Sequence, residues 1–186
     1  MRKDLEMKPS VFPEPTFIIA AYDDKNVPCC MTCAWGGIVA KTQIMLSINP
    51  GHKTVDALKH SQAFTVSMGQ ADQVKACDYV GIVSAHDVPD KFARAGFHAT
   101  KSVHVNAPLI DELAYTLECK VASYDDETHV LIGDIVNISA DERVINPDGT
   151  VNVAELKPIS FDGRTVKYYL VGEAVADARS VGKELK

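Results

Sequence analysis

The stretch from residue 113 to 142, LAYTLECKVASYDDETHVLIGDIVNISADE, constrains the fold of this chain more than any other. Its two long runs are rich in β-branched and aromatic residues, and they flank the polar turn Asp125-Asp126-Glu127. Strand-forming runs joined by a short polar turn predict a β-hairpin. The chain is therefore expected to contain a long antiparallel pair of strands in its second half.

Further strands and helices are predicted on both sides of this hairpin. The strands are expected at residues 15–24, 27–42 with a break at Gly36-Gly37, 43–50, 63–69, and in a second hairpin at 158–172 that turns at Asp162-Gly163. The helices are expected at residues 54–62 with Thr54 as N-cap and at 70–81 with Val74, Cys77 and Gly81 on one face. A short helix that follows Pro89 and ends at Gly96 is expected within 87–97, and a short helix or a partly ordered tail is expected after Glu173. Because the helices do not follow every strand, the pattern favours a mainly β fold, an antiparallel barrel with inserted helices, over a doubly wound parallel sheet.

Size and charge exclude several classes of protein. A chain of 186 residues fits a single domain, residues 1–186, and its 46% hydrophobic and 24% charged residues are ordinary for a globular protein. The formal charge is -6 and there is no block of Lys or Arg, so no nucleic-acid partner is expected. The N-terminus lacks the apolar region of a secretory signal and no run is long enough to span a bilayer, so no membrane association and a cytoplasmic location are expected.

The five cysteines and the histidines do not predict a metal site. Cys30-x-x-Cys33 has no second pair to complete a zinc site, and it lies in an expected strand rather than at the helix start of a thioredoxin-like motif. Reduced thiols packed as small apolar groups are the favoured interpretation, and Cys33 lining a cofactor site is the alternative. His60, His98, His104 and His129 have no partners at ligand spacing, so no metal is expected.

The stretch SINPGHKT, residues 47–54, is the first candidate binding site. Ser47 and Asn49 end a strand, and His52, Lys53 and Thr54 follow the Pro-Gly turn and open a helix. Free N–H groups and the positive end of the helix dipole favour an anion there, and a phosphate group is one interpretation. An ordinary threonine cap beside a solvated lysine is the other.

Two more stretches are candidates. In MTCAWGG, residues 31–37, the small Cys33 and Ala34 beside Trp35 favour either a slot for a flat aromatic ligand or a core position for the tryptophan. The stretch 77–92, CDYVGIVSAHDVPDKF, leaves a helix and crosses a polar loop, which is either a binding loop or a solvated connector. The loop holds Ser84, His86, Asp87 and Lys91. The glycine-rich nucleotide motifs GxGxxG and the P-loop are absent, as are HExxH and GxSxG.

The order of these stretches resembles the flavin reductase-like, FMN-binding split-barrel family, and within it the flavoredoxin group. The resemblance rests on the succession MTCAWGG, MLSINPGHKT, FTVSM, CDYVGIVSAHDVPDKFARAGF, NAPLIDELAYTLECKV, IGDIVNISADE and PISFDGRTVKYYLVGE. It covers about residues 15–173, which is taken as the core of the domain. It implies an FMN-binding split β-barrel of the antiparallel Greek-key type that works as a homodimer, with the flavin at or near the subunit interface.

The resemblance also implies roles for individual residues. Met31, Thr32, Cys33, Ala34 and Trp35 would line the isoalloxazine, and Ser47, Ile48 and Asn49 would meet the ring edge and the ribityl chain. His52, Lys53 and Thr54 would take the phosphate, Ser84 and Lys91 would close over the flavin or its phosphate, and Tyr168 or Tyr169 would border the open face. The chain departs from the family pattern at Cys33, Ala34, Ala85 and His86.

Three functions remain open at the level of sequence. The first is an oxidoreductase that transfers hydride or electrons from NAD(P)H through FMN to a flavin or another acceptor, with no catalytic side chain because FMN itself does the chemistry. The second is an electron carrier between redox protein partners. The third is a non-redox binding module.

Overall fold

The computed structural model describes residues 1–8 and 10–185, and it confirms a mainly β fold with inserted helices. The strands are β1 (Glu14–Pro15), β2 (Phe17–Tyr22), β3 (Pro28–Cys33), β4 (Gly36–Ala40), β5 (Gln43–Ser47), β6 (Ala63–Met68), β7 (Ala99–Lys101), β8 (Pro108–Ile110), β9 (Tyr115–Asp125), β10 (Val130–Ala140), β11 (Ile159–Asp162) and β12 (Lys167–Leu170). The α-helices are α1 (Lys53–Ser61), α2 (Val74–Ile82), α3 (Lys91–Arg94) and α4 (Val153–Leu156). Short 3-10 turns lie at Ala71–Gln73, Glu142–Val144 and Val181–Leu185.

A seven-stranded antiparallel sheet forms the main body in the order β3-β2-β6-β9-β10-β5-β4. The expected hairpin of residues 113–142 is confirmed as β9 and β10 at its centre, and their register shifts at two places along β10. Such irregularities bend a strand and increase its twist, which lets the sheet curl into a half-barrel. Close packing requires a glycine at one of them, because a Cβ on Gly133 would lie 2.3 Å from Cζ of Phe64.

The inside of the curled sheet is an apolar core that α1 closes. Val55, Ala57 and Leu58 of this helix are buried against sheet residues such as Ile19 and Phe64. Burial of a Val or Leu side chain contributes about 1.5–3 kcal/mol. This packing fixes the position of the helix start, which carries residues 52–54 of the candidate site.

Helices α2 and α3 cover the opposite face of β2 and β3. Ile18 and Cys30 from these strands pack against Cys77, Val80 and Phe92 in a second buried cluster. Strand β2 is therefore buried on both faces, which explains its uninterrupted apolar sequence FIIAAY. The end of α2 and the loop after it are held beside β3.

Two small sheets complete the fold. Strands β1, β11 and β12 form one sheet, and β11 and β12 are the hairpin expected at 158–172. The pair β7 and β8 forms the other sheet, and the sequence patterns missed both of these strands as well as β1. Strands of only two or three residues are too short to show a period of two.

Several predicted boundaries were wrong. The break in the stretch 27–42 falls at residues 34–35 rather than at Gly36-Gly37, which lie within β4. Gly36 allows close strand packing, because its Cβ would lie 2.6 Å from the carbonyl oxygen of Met45. The helix expected at 70–81 begins as a 3-10 turn, and its buried residues are Ala76, Cys77 and Val80 rather than Val74 and Gly81. The short helix expected after Pro89 and before Gly96 is confirmed as α3.

Among the described residues, no helix combines the length and apolar character that crossing a membrane requires.

Candidate functional site

The start of α1 leaves backbone donors open. His52 is the N-cap residue, and its side chain makes no capping hydrogen bond. The predicted cap, Thr54, is instead the second residue of the helix, so that prediction was wrong. Asn49 shapes the preceding turn, because its Oδ1 accepts from the Gly51 N–H at 2.9 Å and its carbonyl accepts from the His52 N–H at 3.2 Å. The first N–H groups of a helix have no intrahelical acceptor, and here no side chain caps them.

Thr54 connects this helix start to strand β3. Its side chain is buried, and its Oγ1 lies 3.2 Å from Sγ of Cys29. The neighbouring Lys53 is half-buried and His52 is exposed. Although His52 is exposed, partial desolvation of its ring and the positive charges of Lys91 and His86 lower its pKa below the ordinary value. Three groups able to carry positive charge therefore lie within electrostatic reach of one another.

Lys91 is a buried cation without a carboxylate partner. Its side chain is 4% exposed, and Nζ donates to the carbonyls of Val80 at 3.1 Å and Val83 at 2.8 Å, at the end of α2. None of the ion pairs formed within residues 1–8 and 10–185 includes it. Burial lowers the pKa of Lys91, which reflects the cost of holding an isolated charge away from water. This arrangement provides positive charge near α1 and leaves it uncompensated.

The loop after α2 is ordered by its own hydrogen bonds. Oγ of Ser84 accepts from the His86 N–H at 3.2 Å, and the Ser84 carbonyl accepts from the N–H groups of Asp87 and Val88. Nε2 of His86 lies 3.8 Å from Oδ2 of Asp56 on α1. The loop therefore lies against the first turn of α1, and the role of Ser84 beside the flavin stays a prediction. Lys91 differs from the expectation, because its amine points into the protein and binds the loop carbonyls.

The end of β3 presents different residues to the two sides of the sheet. Met31 and Cys33 are buried in the barrel core, so their side chains are not available to line a ring, contrary to the expectation. Oγ1 of Thr32, on the other side, donates to the carbonyl of Cys77. Trp35 is 62% exposed, so the alternative of a core tryptophan was wrong. Thr32, Ala34 and Trp35 are the residues of this stretch with exposed or half-buried side chains.

The end of β5 lies beside β3. The Ser47 N–H donates to the carbonyl of Trp35 at 2.8 Å, so the two candidate stretches meet directly. Ile48 does not fit its expected role, because its side chain is 2% exposed and both of its backbone groups are already bonded. Its carbonyl accepts from the hydroxyl of Tyr124 at 2.7 Å, and its N–H donates to the carbonyl of His129 at 2.8 Å. Ser47 and Asn49 remain candidates on this strand end.

All five cysteines are free and buried. Burial raises the pKa of Cys33 and Cys77 to about 11 and that of Cys119 to about 12, and it also raises the pKa of Cys29 and Cys30. These thiols stay protonated at neutral pH and are poor nucleophiles. This agrees with the interpretation of packed, reduced thiols.

The two tyrosines of β12 lie in different environments. The hydroxyl of Tyr168 donates to Oδ1 of Asp78 on α2 at 3.0 Å, and its ring packs on Phe161 with the ring centres 5.6 Å apart. Tyr169, which was the preferred candidate, is 50% exposed. Asp78 and Cys29 were not among the predicted site residues, because sequence spacing does not show that Asp78 meets Tyr168 or that Cys29 meets Thr54.

A family model described as the flavin reductase like domain matches residues 9–156, which is well over half of the chain. The chain belongs to the flavin reductase-like family. This membership confirms the resemblance found in the sequence and the flavin cofactor that it implied.

Three solved structures share the fold. The flavoredoxin of Desulfovibrio vulgaris (Miyazaki F) has a TM-score of 0.93 and 32% identity, with 98% of this chain and 100% of that chain covered. A flavoredoxin from Methanosarcina acetivorans has a TM-score of 0.89 and 21% identity, with 100% of both chains covered. An FMN-binding domain of a flavin reductases-like enzyme from Shewanella baltica OS155 has a TM-score of 0.77 and 19% identity, with 88% and 89% covered. The split-barrel architecture is thus confirmed.

One curated relative is a protein of Aquifex aeolicus (strain VF5) described as uncharacterized. It is 30% identical over 83 residues, which are 44% of this chain and 41% of that protein. The match therefore spans less than half the length of this relative.

Proposed function

We propose that this chain binds FMN and works as an oxidoreductase that passes hydride or electrons from NAD(P)H to a flavin or another acceptor. The buried and uncompensated charge of Lys91 carries the proposal. A lone buried cation is costly unless an anion pairs with it. No carboxylate of the described residues lies within ion-pair distance of Nζ of Lys91. A phosphate of FMN at the start of α1, with about two negative charges, would compensate this charge electrostatically, because Lys91 already acts on His52 there.

The uncapped start of α1 fits the same group. The N–H groups of Lys53 and Thr54 belong to the first turn, and the side chain of His52 makes no capping hydrogen bond to them. A phosphate placed there receives hydrogen bonds from the backbone, the positive end of the helix dipole, and the charge of Lys53. The residues present therefore fit a phosphate monoester.

The chain itself positions the cofactor and shields it. FMN, when bound, supplies the electron and hydride transfer, which no side chain here is required to perform. Thr32, Ala34, Trp35, Ser47 and Asn49 surround the place where β3 and β5 end, and we assign them to the ring and the ribityl chain. Lys91 acts as a positioning residue, because it ties the end of α2 to the loop that faces α1.

A flavoredoxin-like electron carrier is the second candidate. The 32% identity to the Desulfovibrio flavoredoxin over almost the whole chain favours it. In that case the FMN stays bound and exchanges electrons with redox protein partners, without a site for NAD(P)H. A non-redox binding module is the least supported function, because the positive charge beside α1 would then have no use.

We also propose that the protein is a homodimer. Strands β4, β5 and β10 are neighbours in the sheet, and they expose Ile38, Val39, Met45, Val136 and Ile138, each at least 38% accessible. Exposed apolar side chains concentrated on neighbouring strands are typical of an interface. Trp35, which directly precedes β4, is exposed as well, so an interface here would lie next to the proposed flavin site, which favours a second copy of the chain. Sedimentation of Ile38→Lys with Ile138→Lys tests this, and a wild-type monomer at micromolar concentration would contradict it.

The visible spectrum of the purified protein tests the main proposal. We expect two flavin bands, retention of FMN, and much weaker binding of riboflavin, which lacks the phosphate. Anaerobic bleaching by NADH or NADPH supports the oxidoreductase, whereas bleaching by dithionite alone supports the carrier. A protein that stays colourless after incubation with FMN would overturn both functions.

A further inference from the structure

A cavity of about 260 Å³ lies between the end of β3, helix α2 and the β11–β12 hairpin. Thr32 and Ala34 form the β3 side of it, Asp78 and Ile82 the α2 side, and Tyr168 part of the hairpin side. Pockets for drug-sized ligands measure roughly 300–1,000 Å³, so this one suits a single ring rather than a fused three-ring system. The cavity adjoins the residues assigned to the flavin ring but is formed largely by other elements.

The polar groups of this cavity mainly accept hydrogen bonds. The hydroxyl proton of Thr32 is committed to the carbonyl of Cys77, and that of Tyr168 is committed to Oδ1 of Asp78. The side chain of Asp78 accepts from Tyr168 at Oδ1 and keeps Oδ2 available as a second acceptor. A ligand that enters must therefore supply N–H or O–H donors, and the carboxylate disfavours an anionic group.

Two further observations favour a ligand here. Thr16 borders the cavity, is 3% exposed, and its Oγ1 has no hydrogen-bond partner among the described residues. An orphaned buried hydroxyl is uncommon and calls for a partner. Burial and Asp78 both raise the pKa of Tyr168, so its phenol stays protonated and keeps donating to the carboxylate. Asp78 is thus held in one orientation.

We propose that this cavity receives the nicotinamide ring of the hydride donor, with the carboxamide N–H₂ donating to Asp78 and with Tyr168 as the residue that positions the carboxylate. A neutral single ring with an amide donor matches the size, the apolar walls of Ile82 and Phe161, and the acceptor character of the cavity. The inference rests on the proposed oxidoreductase function and deepens it by assigning the donor site.

Equilibrium binding of tetrahydro-NADH to the FMN-loaded protein tests this assignment, because that compound keeps the carboxamide and cannot transfer hydride. Asp78→Asn keeps the shape and removes the charge, and a hydrogen bond to a charged group is worth roughly tenfold or more in affinity. We expect the Kd for tetrahydro-NADH to rise about tenfold in Asp78→Asn and less in Tyr168→Phe, with the Kd for FMN unchanged. Asp72→Asn, the same change at an exposed position just before α2, is the matched control.

Kinetics with a second hydride donor adds a ratio of two kcat/KM values, which a general structural defect would leave unchanged. Reduced 3-acetylpyridine adenine dinucleotide has a methyl ketone in place of the amide and so lacks the N–H donors. The preference of the wild type for NADH over this analogue, measured as kcat/KM, is expected to fall toward parity in Asp78→Asn. A preference that stays unchanged would overturn the assignment.

The remaining outcomes separate this inference from the proposed function. A tenfold weaker Kd for FMN in Asp78→Asn would overturn the inference, because the cavity would then hold the flavin. A wild type that holds FMN but does not bind tetrahydro-NADH would overturn it while FMN binding stands. If the wild type bound no FMN, the proposed function would fail. The cavity assignment would then stand if the flavin-free protein bound tetrahydro-NADH more tightly than Asp78→Asn did, and it would be overturned if the two bound it equally.

Discussion

The thiol of Cys29 on β3 lies 3.2 Å from the hydroxyl of Thr54 in the first turn of α1. Both residues are buried, and their contact ties the helix start to the strand whose end carries Thr32, Ala34 and Trp35. The part of the site that fits a phosphate and the part that fits a ring are therefore joined through the core. A small shift of the start of α1 is transmitted to the end of β3 because protein interiors are closely packed.

Replacing Lys53 and Thr54 by alanine is expected to weaken FMN binding. The variant removes the charged donor of Lys53, and a hydrogen bond to a charged group contributes about 1.5–3 kcal/mol of binding free energy. The Thr54 hydroxyl is buried against Cys29 and the backbone N–H groups remain, so the loss should come mainly from Lys53. Quenching of flavin fluorescence on titration measures the affinity. Riboflavin affinity should change far less, and Lys59→Ala at the other end of α1 is the control. Unchanged FMN affinity in the double variant would show that the phosphate site has been misplaced.

Lys91→Met should affect the loaded and the FMN-free protein differently. The substitution removes a buried charge together with its bonds to Val80 and Val83, and these two effects offset each other in the FMN-free protein. Loss of the charge should lower FMN affinity by roughly ten- to a hundredfold. Calorimetry and thermal unfolding with and without FMN separate the two effects. Lys75→Met, on the exposed side of α2, should change neither.

Gly133→Ala is expected to destabilise the barrel. The added Cβ would lie 2.3 Å from Cζ of Phe64, a side chain that is fully buried and cannot move away cheaply. Overpacking of this kind costs about 1–3 kcal/mol of unfolding free energy, which urea unfolding measures. Gly37→Ala has nothing within 4 Å of the new Cβ and should stay within about 0.5 kcal/mol. Equal effects of the two substitutions would contradict the packing argument.

The pair of His98 and Glu112 should make stability depend on pH. Nδ1 of His98 lies 2.6 Å from Oε1 of Glu112, and this hydrogen bond, with the carboxylate charge, raises the pKa of His98. A raised pKa in the folded state stabilises the protein fully below the ordinary pKa of about 6.5, and the contribution is lost as the pH rises through the raised value.

His98→Gln should therefore lower the free energy of unfolding at about pH 5.5 and leave it unchanged at about pH 9. Chemical unfolding at the two pH values measures the difference, and His60→Gln, at another exposed histidine, corrects for general effects. An equal loss of unfolding free energy at both pH values would mean that the His98 ring stabilises the fold by packing rather than by its charge-assisted hydrogen bond to Glu112.

Local sequence patterns were sufficient to predict elements whose conformation depends mainly on their own residues. The β9–β10 hairpin was predicted because two long strand-forming runs flank a polar turn, and the turn at Asn49-Pro50-Gly51 before α1 follows from turn chemistry. The 3-10 turn at residues 71–73 before α2 was not predicted, because the apolar spacing of one short turn does not distinguish a 3-10 start from an α-helical one.

The class of fold, the order of its main strands, the flavin reductase-like family and the helix start that fits a phosphate could all be predicted from the amino-acid sequence. The orientation of individual side chains required the folded chain: Met31, Cys33 and Ile48 face the core, Trp35 is exposed, and Lys91 points inward. The tertiary structure alone brought Asp78 and Tyr168, 90 positions apart, within 3.0 Å. The reason is physical: periodicity tells which residues of one element share a face, whereas the packing of distant elements determines which face is buried and what it meets.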